Sequence, residues 1–230
     1  MDIKILKLIE GAQAAQGLTV IIDVFRAFTT ACYAFAGGAD RIIPVGDIDV
    51  AYQLKEAHPE YILMGERGGK MQPGFDYGNS PSIIAKEELT GKTLIHTTSA
   101  GTQGIVNATG ANEIISGSFV NAGAIVRYIQ QKQPGQVSLV AMGKGGLEES
   151  DEDMLCAAYL KNAIENRDNY FEKIVDHLRK YKSARKFFDP DITWAPEQDF
   201  EHCMALNRFE FVLKTYPLAD GLVYFRKIPA

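Results

Sequence analysis

From residue 18 to about residue 165, short runs of apolar, β-branched residues alternate with stretches whose apolar positions recur at helical spacing. Leu18–Val24 predicts a buried strand, and a helix follows from Arg26 to Ala36. Gly37-Gly38 ends it, as glycine commonly does at a helix C-terminus. Arg41–Val45 predicts a second strand, Ile48–Ala57 a helix and Tyr61–Met64 a third strand. Ser80-Pro81 reads as a helix start, a capping hydroxyl followed by proline at the first helical position. Beyond it, Thr93–Thr97 predicts a strand, Thr102–Ala108 a helix and Glu113–Ser116 a short strand. Phe119–Gln131 then predicts a helix, Val137–Met142 a strand and Asp151–Asn166 a helix. Such alternation implies an α/β fold, a mostly parallel sheet with helices on both faces.

After residue 166 charged and aromatic residues rise and the pattern loosens. Tyr170–Phe188 predicts one or two surface helices, and Asp189-Pro190 and Ala195-Pro196-Glu197 punctuate the next stretch. Phe209–Lys214 and Leu222–Ile228 predict strands that return to the sheet or form its edge. No repeat or low-complexity linker divides the chain. The expectation is a single domain over 1–230, with a β/α core at 1–166 and an irregular α+β C-terminal part at 167–230.

Composition narrows the function. The 230 residues are 46% hydrophobic and 23% charged, ordinary for a globular protein. A net charge of −5 speaks against nucleic acid or an anionic membrane as the main partner, because those surfaces attract basic patches. No run approaches the roughly 18 apolar residues of a membrane span, and the N-terminus lacks a signal-peptide pattern. Cys32, Cys156 and Cys203 are too few and scattered for a disulfide framework. A cytoplasmic enzyme is expected, with Cys32 and Cys156 in its core.

The longest interruption, residues 65–81, holds five glycines and two prolines directly after a predicted strand. Ligands of α/β sheets bind at the carboxyl ends of the strands, and loops of this length are uncommon without a function. Four clusters fall on that rim: Asp23 with Arg26, Gly65-Glu66-Arg67, Thr97–Thr102, and Gly143–Gly146 with Ser150–Asp153. Asp23 could be a helix cap, a metal ligand or a catalytic carboxylate. Glu66–Arg67 could be a solvated ion pair, although the flanking glycines let backbone amides approach a ligand. Thr97–Thr102 combines hydroxyls, a glycine and a helix N-terminus, the ingredients of an oxyanion site and also of ordinary turns. Gly143–Gly146 is a possible anion nest, with Lys144 adding charge. Ser150-Asp151-Glu152-Asp153 fits a capping box, yet three acids in a row beside an anion-binding rim suggest a divalent cation held by carboxylates and substrate oxygens.

Several machineries are excluded. No Gly-x-x-x-x-Gly-Lys-Ser/Thr loop occurs. Phe25 stands where a haloacid-type phosphatase has its second aspartate, no cysteine is followed six residues later by arginine, and the four histidines lack zinc spacing. His96, inside a predicted strand, reads as a satisfied core histidine.

The motifs Val20–Ala27, Gly65–Gly69, Gly74-Phe75-Asp76-Tyr77-Gly78-Asn79-Ser80-Pro81, Thr97–Thr102 and Glu152-Asp153 with Leu155–Ala158 occur in one order over residues 18 to 160. Through them the chain resembles the 2-phosphosulfolactate phosphatase family. It departs at Phe25 and Phe28, often Leu and Thr in the family, and at Ala100, where the family usually has Asn-Gly-Thr. The resemblance implies a magnesium-dependent acid phosphatase, a phosphoric monoester hydrolase of the coenzyme M biosynthesis type, converting 2-phosphosulfolactate to sulfolactate and phosphate. On that reading Asp23, Arg26, Glu66 and Arg67 are catalytic, and some of Asp23, Glu66, Glu152 and Asp153 hold Mg2+. Arg26, Arg67 and Lys144 neutralise the substrate, while Asn79, Ser80, Thr98, Ser99, Gly101 and Thr102 donate hydrogen bonds to phosphoryl oxygens. The expected partner is a small anionic phosphate ester, with a homo-oligomer possible. The alternatives are a phosphatase of another small phosphorylated acid and a non-catalytic anion-binding module.

Overall fold

A computed structural model describes all 230 residues. The chain opens with β1 (Asp2–Lys7), α1 (Leu8–Gln13), β2 (Gly17–Ile22) and α2 (Ala27–Ala36). Then come β3 (Arg41–Pro44), α3 (Ile48–Ala57), β4 (Ile62–Gly65), β5 (Tyr77–Gly78) and α4 (Pro81–Ile84). The middle holds β6 (Thr93–Thr97), α5 (Gly101–Asn107), β7 (Ala111–Gly117), α6 (Ala122–Lys132), β8 (Gln136–Ala141) and α7 (Asp151–Ile164). The C-terminal part adds α8 (Phe171–Lys180), α9 (Arg185–Phe188), α10 (Glu197–Cys203), β9 (Phe211–Pro217) and β10 (Val223–Pro229). Each strand and helix expected between residues 18 and 165 is present, with ends displaced by a residue or two. The helix expected from Phe119 begins instead as a 3-10 turn, Phe119–Asn121, and the one at Pro81 has four residues.

One ten-stranded sheet runs in the order β1-β8-β2-β7-β9-β10-β3-β6-β4-β5. Its flanks, β1-β8-β2-β7 and β3-β6-β4-β5, are each parallel throughout. The antiparallel hairpin β9–β10 joins them, β9 to β7 and β10 to β3. The two C-terminal strands therefore return to the centre of the sheet and not to its edge.

Helix α2 has nine of its ten residues buried, as expected for a helix apolar all round. Ile21, Ile42, Met64, Leu94, Val140, Leu213 and Phe225, one from each of seven strands, join its Phe28, Ala31, Cys32 and Phe35 in a single core. The sheet thus curls around α2. Its outer surface is covered over β2 and β8 by α6, α7 and the C-terminal segment, through Val20, Ile22, Val137 and Leu139. Over β3, β4 and β6 the cover is α3, through Ile43, Leu63 and Ile95.

The curl positions the site. In a flat sheet β2 and β4, six places apart in the strand order, would be separated by about 29 Å at ~4.8 Å per strand. Residues just past both strands nevertheless line one cavity. His96 on β6 is fully buried, but neither ring nitrogen has a partner, so the core histidine is not a satisfied one. Burial, and secondarily the charge of Arg67, lower its pKa to about 3, keeping the ring neutral.

Candidate active site

A cavity of about 690 Å³ opens at the carboxyl ends of β2, β4, β6 and β8. Asp23, Arg26, Glu66, Asn79, Ser99, Glu152 and Asp153 all reach it, so all four clusters on the predicted rim meet there through side chains. Gly143–Gly145 of the fourth also contribute.

Asp23 follows β2 and does two things. Its Oδ1 accepts a hydrogen bond from the Ala27 amide at the start of α2 (3.1 Å), as a cap would, while its side chain lines the cavity. Burial raises its pKa from 3.8 to about 6; the charges of Glu66 and Glu152 add to this, and the Ala27 amide and Lys186 oppose it.

Asp153, on the first turn of α7, accepts from the Val24 amide at Oδ1 and from the Gly143 amide at Oδ2, both at 2.8 Å. It stitches the loop after β2 to the loop after β8. The expected capping box does not form, because this carboxylate turns away from Ser150, whose hydroxyl is buried without a partner. Nor is Gly143–Gly146 an open anion nest: the Gly143 amide is taken by Asp153, and that of Lys144 by the Glu148 carbonyl (2.7 Å). Burial, then the charges of Asp23 and Glu152, push the Asp153 carboxyl well above the usual range.

Glu66 is buried rather than solvated. Oε1 accepts from the Ser99 amide (2.7 Å), and Oε2 from the Gly69 amide (2.5 Å) and the Ser99 hydroxyl (3.1 Å). The glycine-rich loop is thereby tied to the loop after β6. Gly65 permits this approach, since at φ 140° a Cβ there would lie 1.9 Å from the Thr97 carbonyl oxygen. The Glu66–Arg67 ion pair does not form. Arg67 donates to the carbonyls of Glu66 (2.8 Å) and Gly46 (3.0 Å) and to the Thr97 hydroxyl (2.7 Å), which places it behind the cavity wall.

Other expected ligand groups are also internal struts. Thr98 and Thr102 close on each other, each amide donating to the other's hydroxyl at 2.9 and 3.2 Å. Ser80 does not cap α4; its hydroxyl donates to Asp199 (2.7 Å). Lys144 stands at the rim, its side chain 80% exposed and 3.9 Å from Glu148. Gly101 packs on Asp23, where a Cβ would fall 2.9 Å from Oδ2 and 2.8 Å from the Ala27 Cβ. Gly101→Ala should therefore push the Asp23 carboxylate aside and lower kcat by about 10-fold or more, as ~1 Å misplacements do. Unchanged kcat at wild-type thermal stability would show that Asp23 tolerates the shift.

The C-terminal part supplies groups that sequence reasoning missed. Asp199 on α10 is fully buried and accepts from Arg26 Nη1 (2.7 Å), the Ser80 and Ser82 hydroxyls (2.7 and 2.6 Å) and the Ser82 amide (3.0 Å). Arg26 also donates to the carbonyls of Trp194 (2.8 Å) and Gly69 (3.2 Å). Trp194, Ser183 and Lys186 complete the cavity wall. A signal for Asp199 existed: Pro196-Glu197 starts a helix, and its spacing puts Asp199 on the buried face with Phe200 and Cys203.

No three carboxylates, histidines or cysteines converge to hold a metal ion by themselves. Among the four expected metal carboxylates, both oxygens of Asp153 and of Glu66 are already bonded. Asp23 keeps Oδ2 free, and Glu152, bonded only through Oε2 to the Ser183 hydroxyl (2.6 Å), keeps Oε1. Two hard oxygen donors suit magnesium, which usually takes one or two carboxylates, several waters and substrate phosphate oxygens.

Residues 3–216 match the family model described as 2-phosphosulpholactate phosphatase. A probable 2-phosphosulfolactate phosphatase of Bacillus subtilis is 33% identical over 204 residues, covering 87% of this chain and 88% of the relative. One of Thermotoga petrophila is 32% identical over 219 residues, with 91% and 92% covered. That of Thermotoga maritima is 33% identical over 215 residues, with 86% and 92% covered. No helix is long and apolar enough to cross a membrane.

Proposed function

The chain belongs to the 2-phosphosulfolactate phosphatase family of phosphoric monoester hydrolases, and from that premise we propose that it hydrolyses 2-phosphosulfolactate to sulfolactate and phosphate with magnesium bound at Asp23 and Glu152. The observation that carries the assignment of residues is the presence of free oxygens, Asp23 Oδ2 and Glu152 Oε1, in a cavity whose other buried carboxylates, Glu66 and Asp153, are committed to backbone amides, while Glu148 and Glu149 lie beside Lys144 and Lys7. The chemistry supplied by such an ion, when bound, is polarisation of the phosphoryl group and neutralisation of its charge. Asp23 orients the attacking water and accepts its proton. The ester P–O bond breaks as the water oxygen bonds to phosphorus, and the proton taken up by Asp23 passes to the released alkoxide oxygen. Ser99 and the loop amides around Glu66 hold the opposite wall, and buried polar atoms without partners, Arg26 Nε and Asn79 Oδ1, sit in residues that line it. Ala100, which replaces the family's usual asparagine, also lines the cavity and makes the substrate range the first question.

The test is phosphate release from racemic 2-phosphosulfolactate, with and without magnesium, beside phosphoglycolate, phospholactate and an aryl phosphate. The expected result is magnesium-dependent turnover with preference for the sulfonate. Turnover of the other esters alone would keep the phosphatase and discard the named substrate, and activity unaffected by chelators would remove the metal.

A further inference from the structure

We infer that Lys186, on α9 in the C-terminal part, is the cation that meets the transferring phosphoryl group beside Asp23; this rests on the phosphatase reading above. Six acids and four bases line the cavity, so even with a magnesium ion at Asp23 and Glu152 the site carries no excess of positive charge, and an anionic substrate needs an available cation there. Three of the four bases are poorly placed to serve. Arg26 has its charge matched by Asp199 and bonds two carbonyls through its Nη atoms, with Nε left over. Lys144 is 80% exposed at the rim beside Glu148, where solvent and salt weaken its pull. Lys182 is exposed as well.

Lys186 differs. It is partly buried, and its single hydrogen bond runs to the Phe25 carbonyl at 3.3 Å, which leaves donors of its ammonium group unused. Its ammonium lies over two aromatic rings, with Nζ 5.7 Å from the Phe25 centroid and 5.1 Å from that of Phe187. Phe25, Asp23 and Lys186 line the same cavity, and Nζ is held against the Phe25 carbonyl. Burial and then the charge of Arg26 lower its pKa, Glu152 and Asp23 oppose them, and its own charge is felt by Asp23. A sheltered ammonium without an ion-pair partner, in the wall of the cavity that Asp23 lines, is a preorganised electrostatic donor for phosphoryl oxygens bound there.

The experiment compares Lys186→Met and Lys186→Arg with wild type in the magnesium-loaded protein. Methionine keeps an apolar side chain beside the rings, and circular dichroism and thermal melts check the fold. Turnover of 2-phosphosulfolactate and of an aryl phosphate is measured, and binding of inorganic phosphate is followed by calorimetry. Lys186→Met should lower kcat by about 100-fold or more on both esters and weaken phosphate binding at least tenfold, with partial recovery in Lys186→Arg. A loss confined to the sulfonated ester would overturn the assignment, because the lysine would then hold the group that is not transferred. Unchanged kinetics and phosphate binding in the variant, with an active wild type, would overturn it while leaving the phosphatase reading intact. If the wild type turns over no ester but binds phosphate through Lys186, the contact stands and the catalytic reading falls. If the wild type neither binds phosphate nor turns over any ester, both fall.

Discussion

Asp23→Asn is expected to abolish most turnover, by about 1,000-fold in kcat, while making the metal-free protein more stable near neutral pH. The first effect comes from removing a negative oxygen from the reacting end of the cavity, where preorganised electrostatic groups carry factors of about 100 to 1,000 each. Asparagine retains the oxygen that accepts from the Ala27 amide, so α2 keeps its start and the loss is not one of folding. The second effect comes from linkage. The folded-state pKa of Asp23 lies at about 6 against 3.8, so between those pH values the folded state binds the extra proton. Stability therefore falls as pH rises through that window. Above it the ionised carboxylate costs about 3 kcal/mol, at 1.36 kcal/mol per pKa unit. The variant should melt several degrees higher than wild type at pH 7.5 without divalent cations and show no advantage near pH 4. Near-normal turnover would reduce Asp23 to a helix cap, and a melting difference independent of pH would refute the electrostatic account.

Asp199→Ala should have the largest effect on stability. Arg26 and Asp199 are buried together, with side chains 2% and 0% exposed. Removing one partner strands a guanidinium in the interior at about 3–5 kcal/mol, a large part of the roughly 5–15 kcal/mol that holds a domain together. The Ser80 and Ser82 hydroxyls lose their acceptor too. Urea unfolding should show the midpoint falling steeply with little change in slope. A loss under about 1 kcal/mol would mean that water reaches Arg26 and substitutes for the carboxylate. Because Arg26 also holds the Trp194 and Gly69 carbonyls, the same substitution should loosen the cavity wall.

Features that depend on local pattern were legible in the chain. The β/α alternation, the buried cysteines and the convergence of Asp23, Glu66, Ser99, Glu152 and Asp153 on one rim all derive from periodicity and from the geometry of strand ends. The division of polar groups between ligand and scaffold was not legible. Thr98, Thr102, Ser80 and Arg67 carry the right chemistry, but their hydrogen bonds are spent inside the protein: Thr98 and Thr102 on each other four residues apart, Ser80 and Arg67 on partners distant in sequence. The bond from Asp153 to the Val24 amide spans 129 residues and that from Arg26 to Asp199 spans 173. The amphipathic pattern of Phe209–Lys214 and Leu222–Ile228 identified strands, yet strand pattern carries no neighbour identity, so their central place was hidden. The six-residue β1, whose polar and apolar residues alternate only as far as Ile5, was missed because α1 succeeds it without a turn.

The hairpin β9–β10 has a consequence for how the molecule is made. Its strands come after every other element in the chain, yet β7 and β3 meet only through it. A growing polypeptide can assemble each parallel flank as it emerges, but it cannot join them until the hairpin has left the ribosome. Until then β7 and β3 are open sheet edges with unpaired backbone groups, the kind of surface that recruits other chains. Closure around α2 and completion of the cavity therefore wait for the hairpin, and the interval between synthesis of the flanks and its arrival is when the nascent protein is most exposed to mispairing.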